Sequence, residues 1–312
     1  MRHQIVSLLL VCSFGIGQAQ TPATPPVKPA DIDADNRITL EVYRVNLLFT
    51  VTDRRGRFVT DMTQDDFVVR EGKNTQKILE FVAESNLPLR LAILVDSSNS
   101  IRDRLKFIQE AAIEFIDSVV RPRQDRVAVV SFDTAAELQA DLTDDLVRLE
   151  KGIRALRPGG GTALYDAIYL ACRDRLMQDQ PRHKFRRAIV ILSDGEDNQS
   201  RYTRDQALEM AQKSDAVIYS ISTNITRIQT SGDKVLRYLS AETGGATFFP
   251  FKVEDLSQSF ENIANELRHQ YNILYRPEPM KTDGTYQTVE VDVKSRAGFV
   301  VRARKGYYAP RM

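Results

Sequence analysis

Leu91-Ala92-Ile93-Leu94-Val95-Asp96-Ser97-Ser98-Asn99-Ser100 is the stretch on which the reading of this chain turns. Its five apolar residues run without a break, which suits a strand buried on both faces of a parallel sheet. The run stops at a carboxylate. Hydroxyls follow two and four residues later, and a helical pattern starts at Ile101. Asp96, Ser98 and Ser100 therefore fall in the loop at the carboxyl end of a strand, where open α/β sheets place their ligands. One charged and two neutral oxygens make half of a hard-cation site. A Ser98 or Ser100 that simply caps the next helix explains the same residues equally well.

Two later loops shift that balance. Gly159-Gly160-Gly161-Thr162 precedes another helical run and adds a third hydroxyl. Ala188-Ile189-Val190-Ile191-Leu192 is a second buried-strand pattern, and it too ends in acid, Ser193-Asp194-Gly195-Glu196-Asp197. At this point the chain resembles the von Willebrand factor type A family, whose metal-ion-dependent adhesion site reads Asp-x-Ser-x-Ser, then Thr, then Asp. The resemblance implies a divalent cation, magnesium with manganese as the alternative, at Asp96, Ser98, Ser100, Thr162 and Asp194. It implies direct contact through Ser98, Ser100 and, with a ligand bound, Thr162, while Asp96 and Asp194 act mostly through water. It further implies a partner protein that supplies an Asp or Glu carboxylate, and a last helix, about Leu256 to His269, that slides when the partner binds. Asn99 stands where many members carry Gly, a departure that bears on the loop's shape and not on the ligand set. Glu196 and Asp197 read either as acids that tune the site or as exposed loop residues.

Around this centre strand and helix alternate, as a doubly wound, mostly parallel α/β sheet requires. Helices are expected from Ile101, over 146–156, 162–177, 205–213, 234–243 and 256–269. Strands are expected over 126–132, 136–142, 186–192, 216–221 and 246–249, the second of them an antiparallel edge. On either side the texture is β: alternating residues from Leu40, Phe67 to Arg70, Gln76 to Val82, then Tyr271 to Tyr275, Gln287 to Lys294 and Phe299 to Arg304. Neither flank has enough strands for a core of its own. The expectation is one small β-sandwich built from residues 37–86 and 271–312, with an inserted domain over 87–270. Thr63-Gln64-Asp65-Asp66-Phe67 and Gly306-Tyr307-Tyr308 resemble phrases that flank the type A domain in a group of bacterial extracytoplasmic proteins.

Met1-Arg2-His3-Gln4, the apolar run Ile5 to Val11 and the small pair Gly17 and Ala19 read as a secretory signal over 1–19. A lipid anchor on Cys12 is the competing reading, disfavoured by the bulk of Val11. The proline-rich stretch up to residue 36 reads as a linker. Localisation is thus expected to be exported, periplasmic or secreted, with no membrane span. N-terminal sequencing of exported protein checks this: a start near Gln20 is the expected result, and an intact Met1 or a lipidated Cys12 overturns it. Loss of 1–19 removes Arg2 and no acid from a formal charge of +1, leaving 0, which does not suit a nucleic-acid binder. Cys172 is then alone and cannot form an intramolecular disulfide; it reads as a small buried hydrophobe.

The composition argues against catalysis. A serine hydrolase would need a base for Ser98 or Ser100, and only His183 and His269 remain after the signal. There is no Gly-x-Ser-x-Gly elbow, no phosphate-binding loop and no histidine pair at zinc spacing. The chain is expected to be a metal-dependent protein-binding module and not an enzyme. A secreted hydrolase and a type A scaffold without metal are the alternatives.

Overall fold

The structure is a computed structural model that describes residues 44–83, 87–181, 184–224, 226, 228–250, 252, 255–294 and 298–311. The expected signal, the linker, Cys12, residues 37–43 and His183 lie outside them.

The central sheet has six strands in the order β10-β9-β8-β5-β6-β7. These are β5 (Leu89–Asp96), β6 (Arg126–Phe132), β7 (Ala136–Thr143), β8 (Arg186–Ser193), β9 (Ala216–Ser222) and β10 (Thr247–Phe248). All neighbours pair in parallel except β7, which runs antiparallel to β6 at one edge. Every residue of β5 is buried, as the unbroken apolar run requires. Leu91, Ile93 and Val95 face α1 (Leu105–Val119), α2 (Leu146–Ala155) and α6 (Asp255–Arg268). Ala92 and Leu94 face α3 (Leu164–Ala171), α4 (Arg204–Lys213) and α5 (Ser231–Thr243). The period of two along one strand thus feeds two helix layers.

Several boundaries differ from expectation for local reasons. Asn99–Arg104 forms a tight 3-10 segment, so the α-helix proper begins at Leu105 and not at Ile101. The helix entered through the glycines ends as a π turn over Cys172–Leu176. α5 starts three residues early because Thr230 and Asp233 form a capping box.

The flanks make a two-sheet sandwich. One sheet has the order β13-β1-β11-β4 and the other β14-β12-β2-β3. β1 (Val45–Thr52), β2 (Phe67–Glu71), β3 (Asn74–Gln76) and β4 (Ile78–Val82) come from before the central domain. β11 (Tyr271–Tyr275), β12 (Tyr286–Val293), β13 (Val300–Ala303) and β14 (Gly306–Tyr308) come from after it. Both sheets interleave the two sources. Phe49, Phe67 and Tyr271 form the aromatic centre, with ring centroids 5.0 Å apart for Phe49 and Phe67 and 5.5 Å for Phe49 and Tyr271.

One expectation needs correction here. Gln76 to Val82 is not one strand. It breaks at Lys77, with β3 paired to β2 in one sheet and β4 paired to β11 in the other. The buried Gln76 side chain holds the crossing by donating to the Glu278 carbonyl (3.0 Å) and accepting from the Glu278 amide (2.8 Å). The expected strand Phe299 to Arg304 is found as β13, and Gly306–Tyr308 adds a further strand, β14, in the other sheet.

Candidate metal centre

Sheet order decides where the site forms. From β5 the chain moves to β6 on one side, and later returns to β8 on the other. The connections therefore diverge at the carboxyl ends of β5 and β8, which leaves a crevice there. Asp96 closes β5, and Asp194 follows the last residue of β8.

Asp96 is fully buried and its two oxygens are fixed separately. Oδ1 accepts from the Ser98 amide at 2.8 Å, and Oδ2 accepts from Ser193 Oγ at 2.7 Å. Burial pushes the carboxyl above its ordinary value, the hydrogen bonds from Ser193 and Ser98 work against this, and the charge on Asp194 adds to it. An ionised Asp96 is thus costly without a nearby cation. The Ser98 and Ser100 hydroxyls lie 2.8 Å apart, and Ser100 Oγ donates to Asp194 Oδ2 at 3.2 Å. Adjacent ligands around an octahedral ion with bonds of 2.0–2.1 Å are separated by about 3.0 Å. The two measured spacings bracket that value, so these oxygens fit a small hard cation. Among the described residues no group of three or more His, Cys, Asp or Glu is placed to hold a metal. The set here instead mixes two carboxylates with hydroxyls.

Thr162 joins through its backbone. Its amide donates to Asn198 Oδ1 (2.9 Å), and its carbonyl accepts from the amides of Asn198 (3.0 Å) and Gln199 (3.1 Å). The Gly159 amide donates to the Ser97 carbonyl at 2.7 Å, tying the glycine loop to the first loop. Among the described residues the Thr162 hydroxyl makes no hydrogen bond to the other four candidates, which are joined to one another through Ser98 and Ser100. Gly160 has φ +59°, and a Cβ there would stand 2.3 Å from Thr134 Oγ1. Its role is close approach as well as backbone freedom. The acidic loop is fitted as closely: a Cβ on Gly232 would meet the Asp194 carbonyl at 2.1 Å.

Other residues of the site were read differently from sequence. Glu196 Oε1 accepts from Ser231 Oγ (2.6 Å) and the Gly232 amide (3.1 Å). Asp197 accepts from Ser200 Oγ (2.5 Å) and the Tyr165 amide (3.1 Å). Glu196 thus ties the acidic loop to the first turn of α5, and Asp197 ties it to the first turn of α3. Asn99 accepts from Arg102 at 2.9 Å and has no positive φ, so its position makes no demand for glycine. Ser193 and Asn198 were missed. Ser193 is the residue next to Asp194 at the end of an apolar run, and its role as a partner of Asp96 depends on the pairing of β5 with β8. Asp96 is a core position, so Asp96→Ala would open a cavity there as well as remove a charge. Cys172 is buried, and burial raises its thiol to about 12, as expected of an inert position. His269 lies beside Leu89 and Arg186, the first residues of β5 and β8, at the far end of the sheet.

Residues 91–196 match the family model of the von Willebrand factor type A domain. An uncharacterized protein of Borreliella burgdorferi is 26% identical over 196 residues, covering 60% of this chain and 54% of that protein. Human von Willebrand factor A domain-containing protein 3B is 27% identical over 180 residues, covering 56% of this chain and 13% of that protein. The chain thus spans about half of the first relative and a small part of the second. Among solved structures, proximal thread matrix protein 1 from the mussel byssus, with a zinc-occupied MIDAS motif, superposes with a TM-score of 0.50 at 20% identity. That match covers 62% of this chain and 48% of the mussel protein.

Proposed function

With a von Willebrand factor type A domain at the centre of this chain, we propose that it is an exported module that binds a partner protein through a divalent cation. Magnesium is the first choice and manganese the alternative. Asp96, Ser98, Ser100, Thr162 and Asp194 hold the ion, and the partner contributes an Asp or Glu carboxylate. The observation that carries this reading is the row Ser98 Oγ, Ser100 Oγ and Asp194 Oδ2 at spacings of 2.8 and 3.2 Å, beside a buried carboxylate. A bound divalent cation supplies a Lewis-acidic position open to one more oxygen. The chain's own residues orient that position. Ser193 and the Ser98 amide lock Asp96, and the first turn of α5, at Ser231 and Gly232, holds the acidic loop through Glu196. The signal over 1–19 and the domain limits at 37–86, 87–270 and 271–312 belong to the same proposal. No helix of the described residues is long and apolar enough to cross a membrane.

The hydrolase reading has less support. The Ser98 and Ser100 hydroxyls bond each other and Asp194, and His269 stands at the opposite end of the sheet.

The test is calorimetry with magnesium and manganese, followed by pulldown from envelope extract with and without chelator. Absence of metal binding, or capture indifferent to chelator, would refute the proposal. Thr162→Ala separates resting from engaged states. Its hydroxyl is not hydrogen-bonded to the other four candidates, so metal affinity should change by less than about twofold. Loss of one charge-assisted contact in the engaged state should weaken partner retention by roughly tenfold. Equal losses in both measurements would show that Thr162 holds the metal at rest.

A further inference from the structure

A cleft of about 250 Å³ adjoins the proposed cation site and takes Ser100 and Asp194 as one wall. Arg104, Glu196, Thr223 and Thr230 form much of the remainder. Most of its polar groups are already engaged. Glu196 holds Ser231 and Gly232. Thr230 Oγ1 accepts from the Asp233 amide at 3.1 Å. Asn224, also in the wall, gives its amide to the Ile228 carbonyl and Asp233 and its oxygen to Thr226.

Arg104 is different. One of its terminal nitrogens donates to the Thr223 carbonyl. Among the described residues it has no carboxylate at salt-bridge distance. A guanidinium carries five N–H donors in a rigid fork that matches a carboxylate, so most of that fork remains for a ligand. Nearby negative charge comes from Asp194 and Asp103, and Asp194 is the acid that a bound cation would neutralise. Once it is neutralised, the attraction that Asp194 exerts on Arg104 is weakened, and the remaining acid of the cleft, Glu196, is engaged with Ser231 and Gly232.

Resting on the proposed cation site, we infer that Arg104 reads a second carboxylate on the partner, two residues along an extended segment from the carboxylate offered to the ion. Ser100 and Arg104 stand four residues apart on the same 3-10 segment, which places their backbones about 8 Å apart at about 2 Å of rise per residue. Side chains two residues apart on an extended strand share one face and are separated by about 7 Å. The flexible Arg104 side chain spans the difference. The partner is therefore an acidic segment of the form acid-x-acid in β conformation. Arg104 is the residue that tells it from a segment with a single acid.

The experiment uses the full chain loaded with manganese and two capped peptides, Gly-Glu-Gly-Glu-Gly and Gly-Glu-Gly-Gln-Gly. Wild type should bind the diacid about tenfold more tightly, the range of one charge-assisted bidentate contact. Arg104→Gln removes the charge and the fork while keeping a polar side chain. It should reduce the preference to about twofold, the statistical gain from offering two carboxylates to the ion. Its manganese affinity should be unchanged or higher, because a cation near Asp194 has been removed. With manganese bound, a wild-type preference of twofold or less, no peptide binding, or an undiminished preference in Arg104→Gln overturns the role of Arg104. Failure of manganese to bind wild type removes the cation site itself, and this inference with it.

Discussion

Asp96→Asn will lower divalent-cation affinity by roughly 100-fold while leaving the metal-free protein at least as stable as wild type. Two carboxylates carry all the negative charge of the proposed set, and this substitution removes one of them. At an effective dielectric constant near 20, a unit charge a few ångströms from an ion contributes about 3 kcal/mol or more, which corresponds to about two decades of affinity. Asparagine keeps the shape of the buried side chain, which alanine would not. Its oxygen can accept from the Ser98 amide, and its amide can donate to Ser193 Oγ once that hydroxyl turns. The sign of the stability effect follows from burial, which raises the Asp96 carboxyl. A carboxyl raised on folding contributes stability that is complete below its unfolded value and is lost as pH rises through its folded value. Above its folded value the metal-free wild type carries the cost of an ionised, desolvated Asp96, and asparagine relieves that cost. The measurement is thermal melting with and without magnesium. Wild type should gain about 2.7 kcal/mol at 100 times its dissociation constant, and the variant almost nothing at the same concentration. A variant that keeps the wild-type shift would show that Asp96 does not hold the ion.

Truncation after Gln270 will unfold the N-terminal part of the sandwich. β11 lies between β1 and β4, and β12 pairs with β2, so the cut leaves β1 and β4 unpaired and β2 with β3 as an isolated hairpin. Tyr271, Ile273, Tyr275, Val289, Val291 and Tyr307 leave the core with it. At roughly 1.5–3 kcal/mol for each buried side chain, the loss is about 9–18 kcal/mol, as large as the whole stability of an ordinary domain. The cut also strips the buried Glu266 of α6 of its partner Arg302. Limited proteolysis with mass mapping should find 45–82 cleaved rapidly in the truncated chain and protected in the full one. Equal protection of this segment in both would mean that it folds by itself.

The two kinds of information divide cleanly along the chain. Apolar runs ending in acid were sufficient for β5 and β8, because a strand buried on both faces leaves no other use for five consecutive aliphatic residues. Asp96, Ser98, Ser100 and Asp194 stand out because they interrupt or follow hydrophobic patterns at strand ends, but their reading as a cation set together with Thr162 is what the resemblance to the type A family implies. Both halves of the sandwich could be inferred from their shortage of strands. Pairing between distant segments was not legible. The break at Lys77 depends on which sheet each side of it joins, and alternation continues across the break. Ser193 becomes the partner of Asp96, and Arg104 shares a cleft with Asp194, only when β5 and β8 lie side by side. The cost of charging Asp96 likewise comes from the helices and strands that bury it. Sequence alone determined which residue types end the strands. Tertiary structure decided which of them meet, because hydrogen bonds and burial act between neighbours in space, whatever their separation along the chain.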